Sequence, residues 1–261
     1  MLVNMKARRC YNTALLMLLL APIVLQAQRT TPRILVFSKT MRYYHESIPA
    51  GMKAIMQLGA ANRFGVDTST NPAVFKEENL RRYAAVVFVS PGGDVLDTAQ
   101  QADFERYIQA GGGYVGIHAA TTMEYGWPWY GRLAGAFFDG HPEPQDGVVM
   151  VADTNHASTR HLPRTWKRHD EWYNFKTMVS DLHVLLTVDE STYKGGKHGA
   201  YHPVAWYHAY DGGRAFYTAL GHFDAAYADP LFLQHLLAGI QYAIGNNVQL
   251  DYSKATTQRI R

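Results

Sequence analysis

Cysteine is almost absent. The 261-residue chain has one, Cys10, placed before an apolar run, where it cannot be the acceptor cysteine of a lipoprotein. Thiol catalysis and a disulfide framework are therefore excluded for everything downstream. Concentrated positive charge is lacking too. No run of Lys and Arg builds the basic face that a nucleic-acid partner requires. Long hydrophobic runs are also missing. Ala14 to Leu25 is almost wholly apolar, but about a dozen residues are too few to span a bilayer comfortably. No internal repeat, low-complexity tract or dividing linker is visible.

What stands at the start reads as an export signal. Lys6, Arg8 and Arg9 precede the apolar run, and Gln26-Ala27-Gln28 closes it with a small residue at a plausible cut. The expectation is a signal peptide over residues 1–27 and a periplasmic or secreted protein with no stable membrane insertion after cleavage. That leader holds 3 of the 25 Lys and Arg and none of the 22 Asp and Glu, so the mature chain has 22 of each and no net charge. About 234 residues remain, enough for one large core. The expected organisation is a single domain over 28–246 and a loose tail over 247–261.

The first half alternates short apolar strands with helices. Strands are expected at Arg33–Ser38, Phe64–Thr68, Ala84–Val89 and Tyr114–His118. Ile48, Met52, Ile55 and Met56 give one helix its apolar face. Asp97 with Gln100 three residues on marks another helix start as a capping box. Continuous apolar strands of this kind suit a parallel sheet covered on both faces, so this half is doubly wound α/β. The second half is β-rich and less regular, with strands expected near Val148–Val151, His183–Val188, Val204–Tyr207 and Ala215–Leu220. Asp229-Pro230 opens a last helix.

Ligands of a doubly wound sheet collect beyond the carboxyl ends of its strands. Four such ends carry polar residues: Tyr43, Tyr44, His45 and Glu46; Ser90 to Asp94; His118; and His222 in Leu220-Gly221-His222. Gly116-Ile117-His118-Ala119-Ala120 has the shape of a strand-to-helix elbow, with a histidine where a nucleophile would sit. An acyl-enzyme route through Ser or Cys is closed at that position. Trp127-Pro128-Trp129-Tyr130 offers aromatic faces for a sugar ring, or ordinary core. His141 follows Gly140 on a stiff turn, and His169-Asp170-Glu171-Trp172-Tyr173 gathers a histidine, two carboxylates and two aromatics. If that segment is a strand, Asp170 and Glu171 point to opposite sides, so only one faces a shared site.

The catalytic candidates are His118, Glu171, His45 and His222. Tyr44, Trp127, His141, Asp170 and Tyr173 are the substrate-binding candidates. His45, His118, His141 and His222 could also hold a divalent metal such as zinc, assembled from distant strand ends. No H-x-H or H-E-x-x-H motif occurs; His198 and His202 are four apart in a Gly-rich stretch. His156, His161, His183, His208 and His235 read as surface or packing residues.

The motifs together resemble the ThuA-like family, named for trehalose utilisation. The matching pieces are Gly116–Ala120, Gly140-His141-Pro142, Asp170–Tyr173, and Gly213–Tyr217 leading to Leu220-Gly221-His222. The resemblance implies a flavodoxin-like fold of the class I glutamine amidotransferase type. His118 stands where those enzymes carry cysteine, so glutamine hydrolysis is not expected. It further implies sugar chemistry on 3-keto-glycosides: proton abstraction beside the carbonyl, followed by elimination and hydration or by isomerisation. The partner is then a small carbohydrate. A carbohydrate-binding protein without catalysis is the alternative. A glycosidase with two carboxylates would need Glu46, Asp94 or Glu124 opposite Glu171.

Overall fold

The computed structural model describes residues 31–246 and 249–260; the expected leader over 1–27 lies outside them. In chain order the elements are β1 (Arg33–Phe37), α1 (Ile48–Asn62), β2 (Gly65–Ser69), α2 (Glu77–Leu80), β3 (Ala85–Val89), α3 (Thr98–Gln109), β4 (Gly113–Ile117) and α4 (Pro128–Ala134). There follow β5 (Phe137–Phe138), β6 (Gln145–Val151), β7 (Thr165–Asp170), β8 (Phe175–Lys176), β9 (His183–Asp189), β10 (Pro203–Tyr210), β11 (Gly213–Thr218) and α5 (Pro230–Ile244). Among these residues no helix is long and apolar enough to cross a membrane.

Nine strands form one sheet in the order β2-β1-β3-β4-β11-β10-β9-β6-β7. The pairs from β2 through β11 are all parallel. This part has the flavodoxin-like order, with β11 as the fifth strand. Beyond β11 every pair is antiparallel. Every residue of β3 and β4 is buried, as a parallel sheet covered on both faces requires. The reversal between β10 and β11 runs through Asp211 (φ 46°) and Gly212 (φ 90°), the two positive φ values of a tight hairpin turn.

The capping box at α3 forms as expected: the Asp97 side chain accepts from the backbone of Gln100, and Gln100 returns the bond. Asp229 caps α5, with Pro230 in its first turn. Met56 departs from expectation. It is 51% exposed, because the buried face of α1 follows Ile48, Gly51, Ile55 and Gly59, and Met56 sits about 100° further round.

The tail is not loose. Asp251 donates its backbone N–H to the Ala110 carbonyl, and the backbone N–H groups of Thr256 and Thr257 both donate to Gln109 Oε1. Arg106 reaches the Thr257 carbonyl at 2.8 Å, and Arg259 meets Glu78. Residues 249–260 therefore belong to the domain, held by polar bonds that no apolar pattern in the sequence announces.

Candidate functional site

The carboxyl ends of the parallel strands converge as the topology requires. His45 comes from the loop after β1, His118 from the end of β4, and His222 from the loop after β11. His118 has φ 49° in a short 3₁₀ turn, the strained elbow expected at this position. Gly221 (φ 112°) turns the chain just before His222, and a Cβ there would lie 2.8 Å from the Tyr227 hydroxyl. The carboxylate arrives from the other half of the sheet. β7 ends at Asp170, and Glu171 follows beyond the strand.

Nε2 of His118 lies 3.1 Å from Nδ1 of His222, and Glu171 Oε2 is 3.3 Å from each. His118 Nδ1 donates to the Ala219 carbonyl at 2.7 Å, so in the neutral ring Nε2 carries a lone pair. A lone pair and a carboxylate oxygen thus both face His222 Nδ1, an arrangement that suits a proton or a cation between them. The His45 ring packs edge-on to both imidazoles, and its buried Nδ1 has no hydrogen-bond partner among the described residues. One ligand atom from each of His45, His118, Glu171 and His222 lies within 4.8 Å of all the others.

Electrostatics follow this geometry. Burial pushes His45 down to about 3, helped by the neighbouring His118 and His222 rings, so it stays neutral. Burial opposes ionisation of Glu171, yet its contacts with the His118 and His222 rings hold its carboxyl well below the usual carboxylate range. Burial also opposes the His222 imidazolium, but the Glu171 carboxylate raises it above its ordinary value.

A cleft of about 520 Å³ opens over this cluster. His45, Glu171 and His222 line its floor; Tyr43, Tyr125, Phe138 and Tyr173 give it aromatic walls; Arg42 and Glu143 stand at its sides. His141 lines it too, 35% exposed, with Nδ1 at 3.1 Å from Glu171 Oε1 and 2.9 Å from the Pro142 carbonyl. His118 is 0% exposed and sits beneath this surface. The Tyr173 ring lies over His118 with centroids 4.4 Å apart. Burial, and then the Glu171 charge, keep its hydroxyl protonated far above ordinary tyrosine.

Two networks fix these groups. Asp170 is buried and accepts the backbone N–H groups of Gly221, His222 and Glu171 at 3.2, 3.2 and 3.0 Å. It positions the site and makes no wall of it. His202 Nε2 donates to the Tyr173 carbonyl at 2.8 Å, and its Nδ1 lies 2.8 Å from both Tyr193 Oη and Glu190 Oε1. His198 accepts from the Phe175 N–H. This pair of histidines clamps the loop that carries Tyr173.

Besides Asp170, two substrate-binding expectations are corrected. Trp127 is 9% exposed, stacked on Trp129 and Tyr130, and donates to Glu105; it is core, not cleft. Tyr44 is exposed but does not line the cleft, whereas Tyr43, one residue earlier, does. Of the proposed second acids, Glu124 is spent on the Val95 and Leu96 N–H groups and Gln101, and neither Glu46 nor Asp94 lines the cleft. Glu143, Arg42 and Tyr125 are lining residues that no motif in the sequence singled out.

Residues 33–243 match the family profile described as ThuA, trehalose utilisation. No curated protein sequence matches the chain. Among solved structures, a ThuA-like protein from Bacteroides uniformis shares 21% identity over 87% of this chain and 96% of its own, with a TM-score of 0.71. A second, from Parabacteroides merdae, shares 21% over 87% and 98%, at 0.69. A protein described as part of a GMP synthase, from Thermoplasma acidophilum, shares 11% over 82% and 94%, at 0.53. At these identities the likeness shows the fold. The profile spans most of the sequence, and on that ground the chain belongs to the ThuA family of trehalose utilisation.

Proposed function

We propose that this is an exported sugar-processing enzyme that removes the proton beside the carbonyl of a keto-sugar, such as a 3-keto-glycoside. The observation that carries this reading is the triangle of His222 and Glu171 on the floor of a cleft and His118 just beneath it. Its edges of 3.1 to 3.3 Å are close to the spacing of about 3.4 Å expected of ligands around a tetrahedral ion with bonds near 2.1 Å. Three imidazoles and a carboxylate, one imidazole with an unpartnered buried nitrogen, fit zinc or a similar divalent ion. Glu171 takes the place in this set that the sequence motifs assign to His141.

The chain's own groups divide the remaining work. The His118 Nδ1–H bond to the Ala219 carbonyl fixes its tautomer and ring. His141, oriented by Glu171 Oε1 through Nδ1, presents Nε2 as the base that takes the C2 proton. Tyr173, protonated, and the aromatic walls hold the ring and exclude water. A bound divalent ion would supply positive charge to the developing enolate oxygen. The C2–H electrons form the C1–C2 double bond as the C1 aglycone leaves with its electron pair; water then adds. Return of the proton without loss of the aglycone gives an isomer instead.

The test is metal analysis of the purified protein with activity on a 3-keto-glucoside before and after chelation. Bound metal, turnover lost on chelation, and turnover lost in His141→Ala with sugar still bound would support the reading. Sugar binding with no turnover under any metal would leave a carbohydrate-binding protein in its place.

A further inference from the structure

Tyr125 is a wall shared by two cavities. One is the cleft above the histidines; the other, about 440 Å³, is lined by Pro128, Arg132, Phe137 and Lys176 among others. Two cations rest on this one ring. The Arg42 guanidinium is 5.5 Å from its centroid and the Lys176 Nζ is 5.0 Å. Arg42 lines the first cavity; Lys176 and Arg132 line the second. None of the three has a carboxylate within 4.0 Å among the described residues, and nearby Asp139 pairs with Lys197 instead.

Contact with an aromatic face holds a cation in place without neutralising it. Two charges held in this way, with Arg132 lining the second cavity and donating to the Tyr210 hydroxyl, form a subsite. Acids are distributed the opposite way. Glu143 and Glu171 line the first cavity, whereas no acidic residue lines the second. An anionic group is therefore drawn to the Tyr125 end, where no carboxylate competes with it.

Building on the sugar reading above, we propose that Arg42, Lys176 and Arg132 form a subsite for an anionic substituent. The substrate then carries a carboxylate or phosphate on the ring or aglycone remote from the reacting carbons. Pro128 and Phe137 supply the apolar surface against which that remote group packs.

The test is calorimetric binding of trehalose, trehalose 6-phosphate and the trehalose derivative with one C6 oxidised to carboxylate, at low ionic strength. Exposed ion pairs are individually weak, so three acting together are expected to favour an anionic sugar by about tenfold over trehalose. The advantage should shrink at about 0.5 M salt, where exposed charges are screened. It should also collapse toward the trehalose value in Arg132→Met/Lys176→Met, with Arg42→Met as the second variant should the double variant fold poorly. Preference for one anion alone assigns the substituent as phosphate or carboxylate. Equal binding of all three sugars, or a preference that survives the variants and salt, overturns the subsite while leaving the sugar reading intact. Failure of every sugar to bind overturns the subsite, whereas the sugar reading falls only if the 3-keto-glucoside is also neither bound nor turned over.

Discussion

The Asp170 carboxylate lies behind the backbone of His222, accepting its N–H at 3.2 Å, while the adjacent Glu171 meets the same residue's ring from the front at 3.3 Å. One acid fixes where the imidazole stands, and the next uses it. Asp170→Asn puts an N–H donor against one of the N–H groups now accepted. A lost buried bond of this kind costs about 1–3 kcal/mol. The expected result is a lower melting temperature together with a fall in kcat exceeding any rise in KM. Unchanged kcat in a folded Asp170→Asn protein would dissociate the two roles.

His118 sits at φ 49°, a region costly for residues with a Cβ and worst for branched ones. Asn tolerates this region and can donate to the Ala219 carbonyl as the imidazole does. Thermal unfolding should rank Asn above Ala and Ala above Val at position 118, with Val lowest by about 1–3 kcal/mol. All three substitutions should abolish turnover. Equal stability across the series would mean that the elbow relaxes at little cost.

His235 is buried on the inner face of α5, its Nδ1 donating to the Ser158 carbonyl at 2.9 Å and its Nε2 without a partner among the described residues. Burial pushes it down to about 4. The folded protein therefore refuses a proton that the unfolded chain accepts below about 6.5, and stability is lost as pH falls from there toward 4. The loss attributable to this group reaches at most about 3 kcal/mol at about 1.36 kcal/mol per unit. His235→Asn keeps a donor for Ser158 and removes the titration. Its unfolding free energy should fall less than the wild type's between neutral and acid pH; parallel curves would refute the assignment.

Removal of residues 249–261 strips Gln109 of both N–H donors to its Oε1 and Arg106 of a carbonyl. The expected cost is about 1–3 kcal/mol in chemical denaturation, with the cleft unchanged because α3 lies away from it. An unaltered midpoint would show that the tail merely rests on the surface.

The sequence exposed what periodicity and capping encode. The parallel strands, the Asp97–Gln100 capping box, the Asp229 cap and the His118 elbow were all legible, because each follows from neighbours close in the chain. The carboxyl ends of β1, β4 and β11 brought three histidines into view for the same reason. Position within loops was not legible. Tyr43 rather than Tyr44 faces the cleft through a loop conformation that no pattern specifies, and Trp127 disappears into core by stacking on Trp129 and Tyr130. Glu171 joins the histidines only because β7, at the far edge of the sheet, ends where its loop turns back. The Tyr125 cations came from three loops or short elements with no shared motif.

β11 is the last strand made, yet it pairs in the middle of the sheet, between β4 and β10. Every chemical group of the cluster except His222 has emerged before it, and the half of the sheet that carries Glu171 joins β4 only through it. A chain short of that step carries its reactive residues and no complete site. The order in which the polypeptide is spelled thus acts as a safety catch, released only when β11 closes the sheet.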